Sequence, residues 1–408
     1  PYIEGSFQKK SWDTVNDLIK TSKEKDTISI IMNGARTLPA SVLSGIKGKD
    51  ISLNLDMENG FIWKINGTSI TAETPADTDL SVTNTEEYIP AALYSLISTN
   101  QNDFGFHLGR NGAFDFPAVL SVKADASCAG LMANLFWYDA ENGVLQCIQT
   151  VTVGGAFERS IPYADFTLSK GQDYFIAFGT ESLNGRAIHT DGSITDSDGN
   201  YTRPAKAVIK NVSISKNSVK MVLNEECKGA LKYDYVIGTS EDMLKTGQYT
   251  KVLKNQEELK SAFAYMDKGT WYVACHAWLK GEDGKKVFGQ WSEIHKVDVS
   301  TITPQTPVIS KVTVKGSTVT VKYTKSKNSQ GYDVVLSDTL TKTNGQKCPA
   351  VSGENYYVKK IKGNTVTVTF KNVKSGTYYI GLHAWNRTSE DNSKTFSEWS
   401  NVRKVKMK

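Results

Sequence analysis

Cysteine is scarce: five residues in 408 (Cys128, Cys147, Cys227, Cys275 and Cys348), an odd number with no C-x-x-C pair. That argues against a disulfide framework and leaves free, mostly buried thiols that behave as small hydrophobes. Cys128 and Cys147 flank the turn at Glu141-Asn142-Gly143, but its register carries Cys128 past Cys147, so the two are not expected to meet. No apolar run approaches 18 residues, so no segment reads as a membrane-spanning helix. The chain opens abruptly at Pro1 without a visible signal peptide or sorting tail, as a trimmed piece would, and this says little about localisation. Histidine is also rare, at five residues, and no G-x-S-x-G elbow, H-E-x-x-H, phosphate-binding glycine loop or G-x-G-x-x-G is present. One enzymatic route stays open, a carboxylate pair roughly 5–9 Å apart for glycoside hydrolysis. Acids such as Asp56, Glu58, Asp103 and Asp115 are plentiful, but nothing singles out a pair. The expectation is a non-catalytic chain with no metal and no cofactor.

What the chain does have is an internal repeat. Gly269-Thr270-Trp271-Tyr272, His276-Ala277-Trp278, Phe288 and Trp291-Ser292 recur as Gly376-Thr377-Tyr378-Tyr379, His383-Ala384-Trp385, Phe396 and Trp399-Ser400. Upstream, Ile209–Ile214 parallels Ile309–Val314, and Tyr233-Asp234 parallels Tyr332-Asp333. The offset of roughly a hundred residues is the size of one small β-sandwich.

Charge is uneven along the chain. From Val308 to Lys408 there are 18 lysines and arginines against six aspartates and glutamates, a net of +12 that leaves −7 for the remainder. One reading is attraction to an acidic surface such as a teichoic-acid-bearing wall. The favoured reading is plainer: lysines keep sheet faces and edges soluble. No nucleic-acid partner is expected, because the lysines are scattered and no recognised nucleic-acid-binding motif accompanies them.

Periodicity places a helix over Ser11–Ser22, with Trp12, Val15, Leu18 and Ile19 on one stripe. A strand follows over Thr27–Met32, then a short helix over Pro39–Ile46. Asp50–Asp56 and Phe61–Ile65 read as a hairpin joined at Glu58-Asn59-Gly60, and the β pattern continues from Ala118 to Gly179. Phe104, Phe106, Phe114 and Phe116 are assigned mainly to the core. Arg186–Pro204 is rich in Gly, Ser, Thr and Asp and reads as a linker or exposed loop. Its Asp191, Asp196, Asp198 and Asn200 lack the alternate spacing and closing Glu of a calcium loop.

Two resemblances enter here. The run Ile28 to Gly67, with Met32-Asn33-Gly34 and Trp63-Lys64-Ile65-Asn66-Gly67, is similar to a module recurrent in surface proteins of gut clostridia and ruminococci. Ala133–Tyr138 and Gly171–Tyr174 are similar to that module's second half. The two C-terminal copies resemble fibronectin type III domains of bacterial surface proteins, which implies a sandwich fold and says nothing of activity. In the first copy, Glu257, Glu258, Leu259, Ala262 and Phe263 look helical, so a helical insertion is expected between Asn255 and Met266. The expected fold is all-β: a β-rich module over 1–185, a linker over 186–203, and fibronectin-like domains over 204–302 and 303–408.

Alternation along the repeated strand separates its faces. Trp271, Val273, Cys275 and Ala277, matched by Tyr378, Ile380, Leu382 and Ala384, are uniformly apolar and belong to the core. Tyr272, Ala274, His276 and Trp278, matched by Tyr379, Gly381, His383 and Trp385, face outward. Outward rings suit sugar binding, since pyranose C–H faces stack on them and a histidine can fix hydroxyls. The opposing reading has the same rings covering long side chains, stacking on Trp291 and Trp399, or packing on a neighbouring domain. Trp63 and Trp137 are further candidates wherever they are exposed. The expected ligand set is therefore Trp278, Trp385, His276, His383, Tyr272, Tyr379, Trp63 and Trp137.

The resemblance to surface proteins implies a secreted or cell-surface protein. Its partners would be a polysaccharide or oligosaccharide, with starch-like α-glucans favoured, or other surface and complex-forming proteins. An exported chain without disulfides suits a Gram-positive anaerobe. The rival readings are a structural spacer or protein-binding adhesin, and a glycoside hydrolase with unrecognised acids.

Overall fold

The computed structural model describes residues 1–6, 10–154, 161–388 and 391–408. The chain divides into two compact units, Pro1–Ala205 and Lys206–Lys408.

The first unit is built on two sheets. One has six strands in the order Tyr2–Ile3, Thr27–Ile31, Ser52–Asp56, Phe61–Asn66, Ala113–Lys123 and Tyr163–Lys170. Its single parallel pair, Ile28 beside Leu53, is joined through the helix Ala40–Ile46. Ser11 caps the other long helix, Trp12–Thr21, and presents Val15 and Ile19 inward. The second sheet has eight strands and runs from Tyr201–Arg203 through Val144–Thr152, Met132–Asp139 and Asp173–Gly179 to Val82–Asn84. Leu53, Phe61, Leu120 and Phe166 of one sheet share a core with Phe106, Leu135, Tyr174 and Ile176 of the other. The far face of the second sheet buries Phe136, Cys147 and Phe175 beneath Ile89, Leu93 and Ile97. Phe106 and Phe116 are buried and Phe104 and Phe114 half-buried, as the alternation required. All five cysteines are buried.

Two expectations about the chain's organisation change. The stretch taken as a linker is part of the first unit: Ala187–His189, Ile194–Thr195 and Tyr201–Arg203 extend the eight-stranded sheet, and Ile188 and Ile194 are buried. Its acids serve its turns, with Asp191 accepting from the Ser193 N–H and Asp196 from those of Asp198 and Asn200. The helical insertion is absent. Lys251–Gln256 and Lys260–Phe263 are strands in opposite sheets, and the pairing of Val219 with Phe263 overrides the local helical preference.

The second unit holds two sandwiches of one plan. In the first copy, Ile209–Ser215, Ser218–Leu223 and Lys260–Phe263 form a three-stranded sheet. It faces a sheet in the order Lys251–Gln256, Lys232–Gly238, Gly269–Lys280, with Lys286–Phe288 and His295–Val299 both pairing the last of these. In the second copy, Ile309–Lys315, Thr318–Tyr323 and Thr367–Phe370 face Tyr356–Lys362, Gly331–Ser337 and Gly376–Arg387, with Lys394–Phe396 and Arg403–Met407 flanking. Both are antiparallel β-sandwiches with the strand order of a fibronectin type III domain. The second copy adds a hairpin, Leu340–Thr343 with Gln346–Pro349.

The segment joining the copies is held from both sides. Asn217 is 6% exposed, and its Nδ2 donates to Thr303 Oγ1 at 3.0 Å and to the Phe396 carbonyl at 2.9 Å. Thr303 Oγ1 in turn donates to the Met266 carbonyl at 2.7 Å, and Asn386 Nδ2 to that of Ile302 at 2.7 Å.

Candidate functional site

The outward face of the repeated strand is where sequence reasoning placed its ligand residues. Cross-strand pairing puts Asp234 beside His276, and Asp333 beside His383. In the first copy Asp234 is 5% exposed. Its carboxylate accepts from Trp278 Nε1 at 3.1 Å, Lys286 Nζ at 3.1 Å and the Asn255 N–H at 2.7 Å. The Lys286 ammonium lies 4.1 Å from the Trp278 ring centroid. His276 is sandwiched between Phe288 at 4.4 Å and Trp291 at 3.6 Å, nearly parallel to both. A buried carboxylate is tolerated only when paired and hydrogen-bonded, and here one lysine supplies both the ion pair and the cation over the indole.

The second copy repeats the set with one difference. Lys394 Nζ binds Asp333 at 3.1 Å and sits 4.2 Å from the Trp385 ring, while His383 stacks between Phe396 and Trp399. Trp385 Nε1, however, is buried with no hydrogen-bond partner among the described residues. Its indole lies directly on Gly331, where an added Cβ would meet the ring at 2.4 Å. The first copy has Lys232 at that register.

Each copy also roofs this face with its own chain. In the first, Met243, Leu244 and Tyr249 of the excursion after Gly238 pack with Val236, Ala274, Tyr272 and Trp291. In the second, the hairpin brings Pro349 onto Gly381, where a Cβ would approach it to 2.7 Å, and Gln346 accepts from the Trp399 N–H.

The consequence corrects the expected ligand set. Trp278, Trp385 and His276 are 8%, 4% and 9% exposed, and Trp63 is wholly buried with its Nε1 donating to the Leu80 carbonyl. Tyr272, Tyr379, His383 and Trp137 are half-buried. Tyr379 has Lys404 at 5.9 Å, and Lys170 covers Trp137 at 3.1 Å. The structure brings Trp278 and His276 together, and likewise Trp385 and His383, but none offers an open ring face. Sequence reasoning missed the lysines. Lys286-Val287-Phe288 and Lys394-Thr395-Phe396 match in both copies, and that shared K-x-F was the available signal.

An exposed ring beside polar groups occurs elsewhere, in the first unit. Tyr88 is 52% exposed and leans on His107 at 4.5 Å between centroids. His107 Nδ1 pairs with Asp173 Oδ1 at 2.7 Å, and the Gln172 amide lies 3.4 Å from Nε2. No sequence pattern pointed to this cluster, which the pairing of Asp173 with His107 assembles.

Among the described residues no group of three or more His, Cys, Asp or Glu side chains converges as a metal site. No family model and no curated protein sequence matches the chain. Among solved structures it is similar to a two fibronectin type-III domain segment from chicken tenascin, at 13% identity over 50% of this chain and 99% of that one, with a TM-score of 0.19. At that score the likeness adds nothing to the strand order, which by itself makes each copy a sandwich of a three-stranded sheet on a five-stranded one.

Burial pushes the His276 and His383 imidazoles down to about 4, against the pull of Asp234 and Asp333 and with that of Lys286 and Lys394. Both are therefore neutral in the folded protein at neutral pH. Below pH ~6.5 the unfolded chain binds protons that the native chain does not, so stability falls as pH drops from there toward about 4 and is unaffected above. Each histidine contributes at most about 3 kcal/mol to that loss. Replacing both by Phe keeps the stacks and should remove this part of the acid sensitivity. Urea midpoints at pH 7 and 4.5 should lie closer together in the His276→Phe, His383→Phe double variant than in the parent.

Proposed function

We propose that the chain is a non-catalytic, modular surface protein whose C-terminal pair of sandwiches is a stiff support rather than a sugar-binding face. The observation that carries this reading is the joint between the copies. Asn217 of the first copy, Thr303 of the joint and the Phe396 carbonyl of the second form one hydrogen-bonded chain around a buried amide. A freely jointed pair has no need of such a contact. The closed Asp–Lys–Trp stacks support the same reading, since their aromatic surface is spent inside each domain. A secreted, wall-associated setting is supported by the resemblance of residues 28–67 to bacterial surface modules. Spin labels at Lys220→Cys and Lys360→Cys test the joint, because all native cysteines are buried. The distance distribution between them is expected to be single and narrow. Asn217→Ala, which removes two hydrogen bonds worth about 1 kcal/mol each, should at least double its width. An equally broad distribution in the parent chain would contradict the support reading.

Glycan capture is the second reading, and the exposed Tyr88 ring beside His107, Asp173 and Gln172 is the observation that favours it. An aromatic face with an imidazole, a carboxylate and an amide around it suits a sugar ring better than the roofed tryptophans do. Retention of the chain on insoluble starch, cellulose, xylan and mucin tests this. Tyr88→Ala should abolish any retention while Trp278→Phe leaves it unchanged, and no retention by the parent chain would remove the reading.

A further inference from the structure

The two sandwiches provide an internal comparison. They share one fold, yet residues 206–302 carry 15 basic against 12 acidic residues, while residues 303–408 carry 18 against six. The fold itself therefore does not require the second copy's charge.

On the three-stranded sheet of the second copy, alternation and register fix which residues share the outer face. Val312, Val319, Val321 and Phe370 point to the core, so Lys311, Thr313, Lys315, Thr318, Thr320, Lys322, Thr367 and Thr369 line the other side. Lys311, Lys315 and Lys322 are exposed, and none forms an ion pair among the described residues. Among the described residues of these three strands, none on this face is an aspartate, a glutamate or an aromatic residue. Lys311 stands directly opposite Lys322 in the ladder, an arrangement that destabilises a sheet through like-charge repulsion. At the same register the first copy has Asn211 opposite Val222.

We infer that this face binds a phosphodiester-linked polyol chain, the polymer chemistry of a Gram-positive wall. Three features select that ligand. Compact ammonium charges bind phosphate oxygens as point charges, and the arginine fork that would pair carboxylates or phosphates bidentately is absent from these strands. Threonine hydroxyls beside the lysines donate to phosphate oxygens and accept from the hydroxyls of a polyol. With no ring on the face, the stacking that holds single-stranded nucleic acid has no platform. Neighbouring strands about 5 Å apart and alternate residues about 7 Å apart give lysines and threonines at spacings a flexible chain can follow. This partner is additional to the support role, and its loss would leave the joint at Asn217 untouched.

The test measures binding of the full chain to poly(glycerol phosphate) over a salt series, beside polygalacturonate and poly(dT). Lys311→Asn with Lys322→Val installs the first copy's residues on the same fold, and Asn211→Lys with Val222→Lys is the reciprocal variant. Parent binding should weaken as salt rises. The Lys311/Lys322 variant should bind at least tenfold more weakly at low salt, with a salt slope reduced by about 1 to 2. The reciprocal variant should bind more tightly than the parent. Unchanged affinity in the Lys311/Lys322 variant would overturn the inference. So would binding of poly(dT) or polygalacturonate as tight as that of the polyol phosphate, or lysine dependence that appears only as self-association of the chain.

Discussion

Burial of both faces of one strand is the constraint on which each C-terminal sandwich depends. Gly269–Lys280 and Gly376–Arg387 pair with neighbours on either side, so each is central to its sheet. Their inner residues fill the sandwich core. Three of the four outer residues in each carry rings, and these must be covered in turn or left as exposed apolar surface. An aspartate on one adjacent strand anchors a lysine from the short strand on the other side, and that lysine covers the tryptophan.

The two copies meet this constraint with different roofs. A short helix, Met243–Thr246, and its flanks cover the first, and a hairpin covers the second. Roof and strand have adjusted to each other locally. Gly381 is small because Pro349 sits on it, and Gly331 is small because Trp385 does. The shared part is the polar kernel of Asp, Lys and stacked His, which satisfies a buried charge and leaves both imidazoles neutral. Surface charge has diverged most, as expected for residues that bear on partners rather than on the fold.

The inner face of the strand was legible because a period of two is a local property, and Trp271, Val273, Cys275 and Ala277 display it plainly. The repeat made the sandwich plan legible as well. Exposure of the outer face was not, because its cover comes from Met243 and Tyr249, or from Pro349, some 25 to 40 residues away in sequence. Alternation tells which side a residue takes and not what lies above it. Tertiary pairing also overrode local preference at Lys260–Phe263, where a helical pattern became an edge strand. At Ile188 and Ile194, two apolar residues within a turn-rich stretch sufficed to draw it into a sheet. The Tyr88 cluster could not be read at all, since its members lie up to 85 residues apart.

A double-mutant cycle on Asp234 and Lys286 tests the structural role of the outer stack most directly. Asp234→Asn, Lys286→Met and the combined variant would be compared with the parent by equilibrium urea unfolding. A coupling energy of about 1–3 kcal/mol is predicted, because each single change strands the other group against buried rings. Effects that simply add, within about 0.3 kcal/mol, would contradict the account and leave the Asp–Lys pair without a structural role beneath the tryptophan.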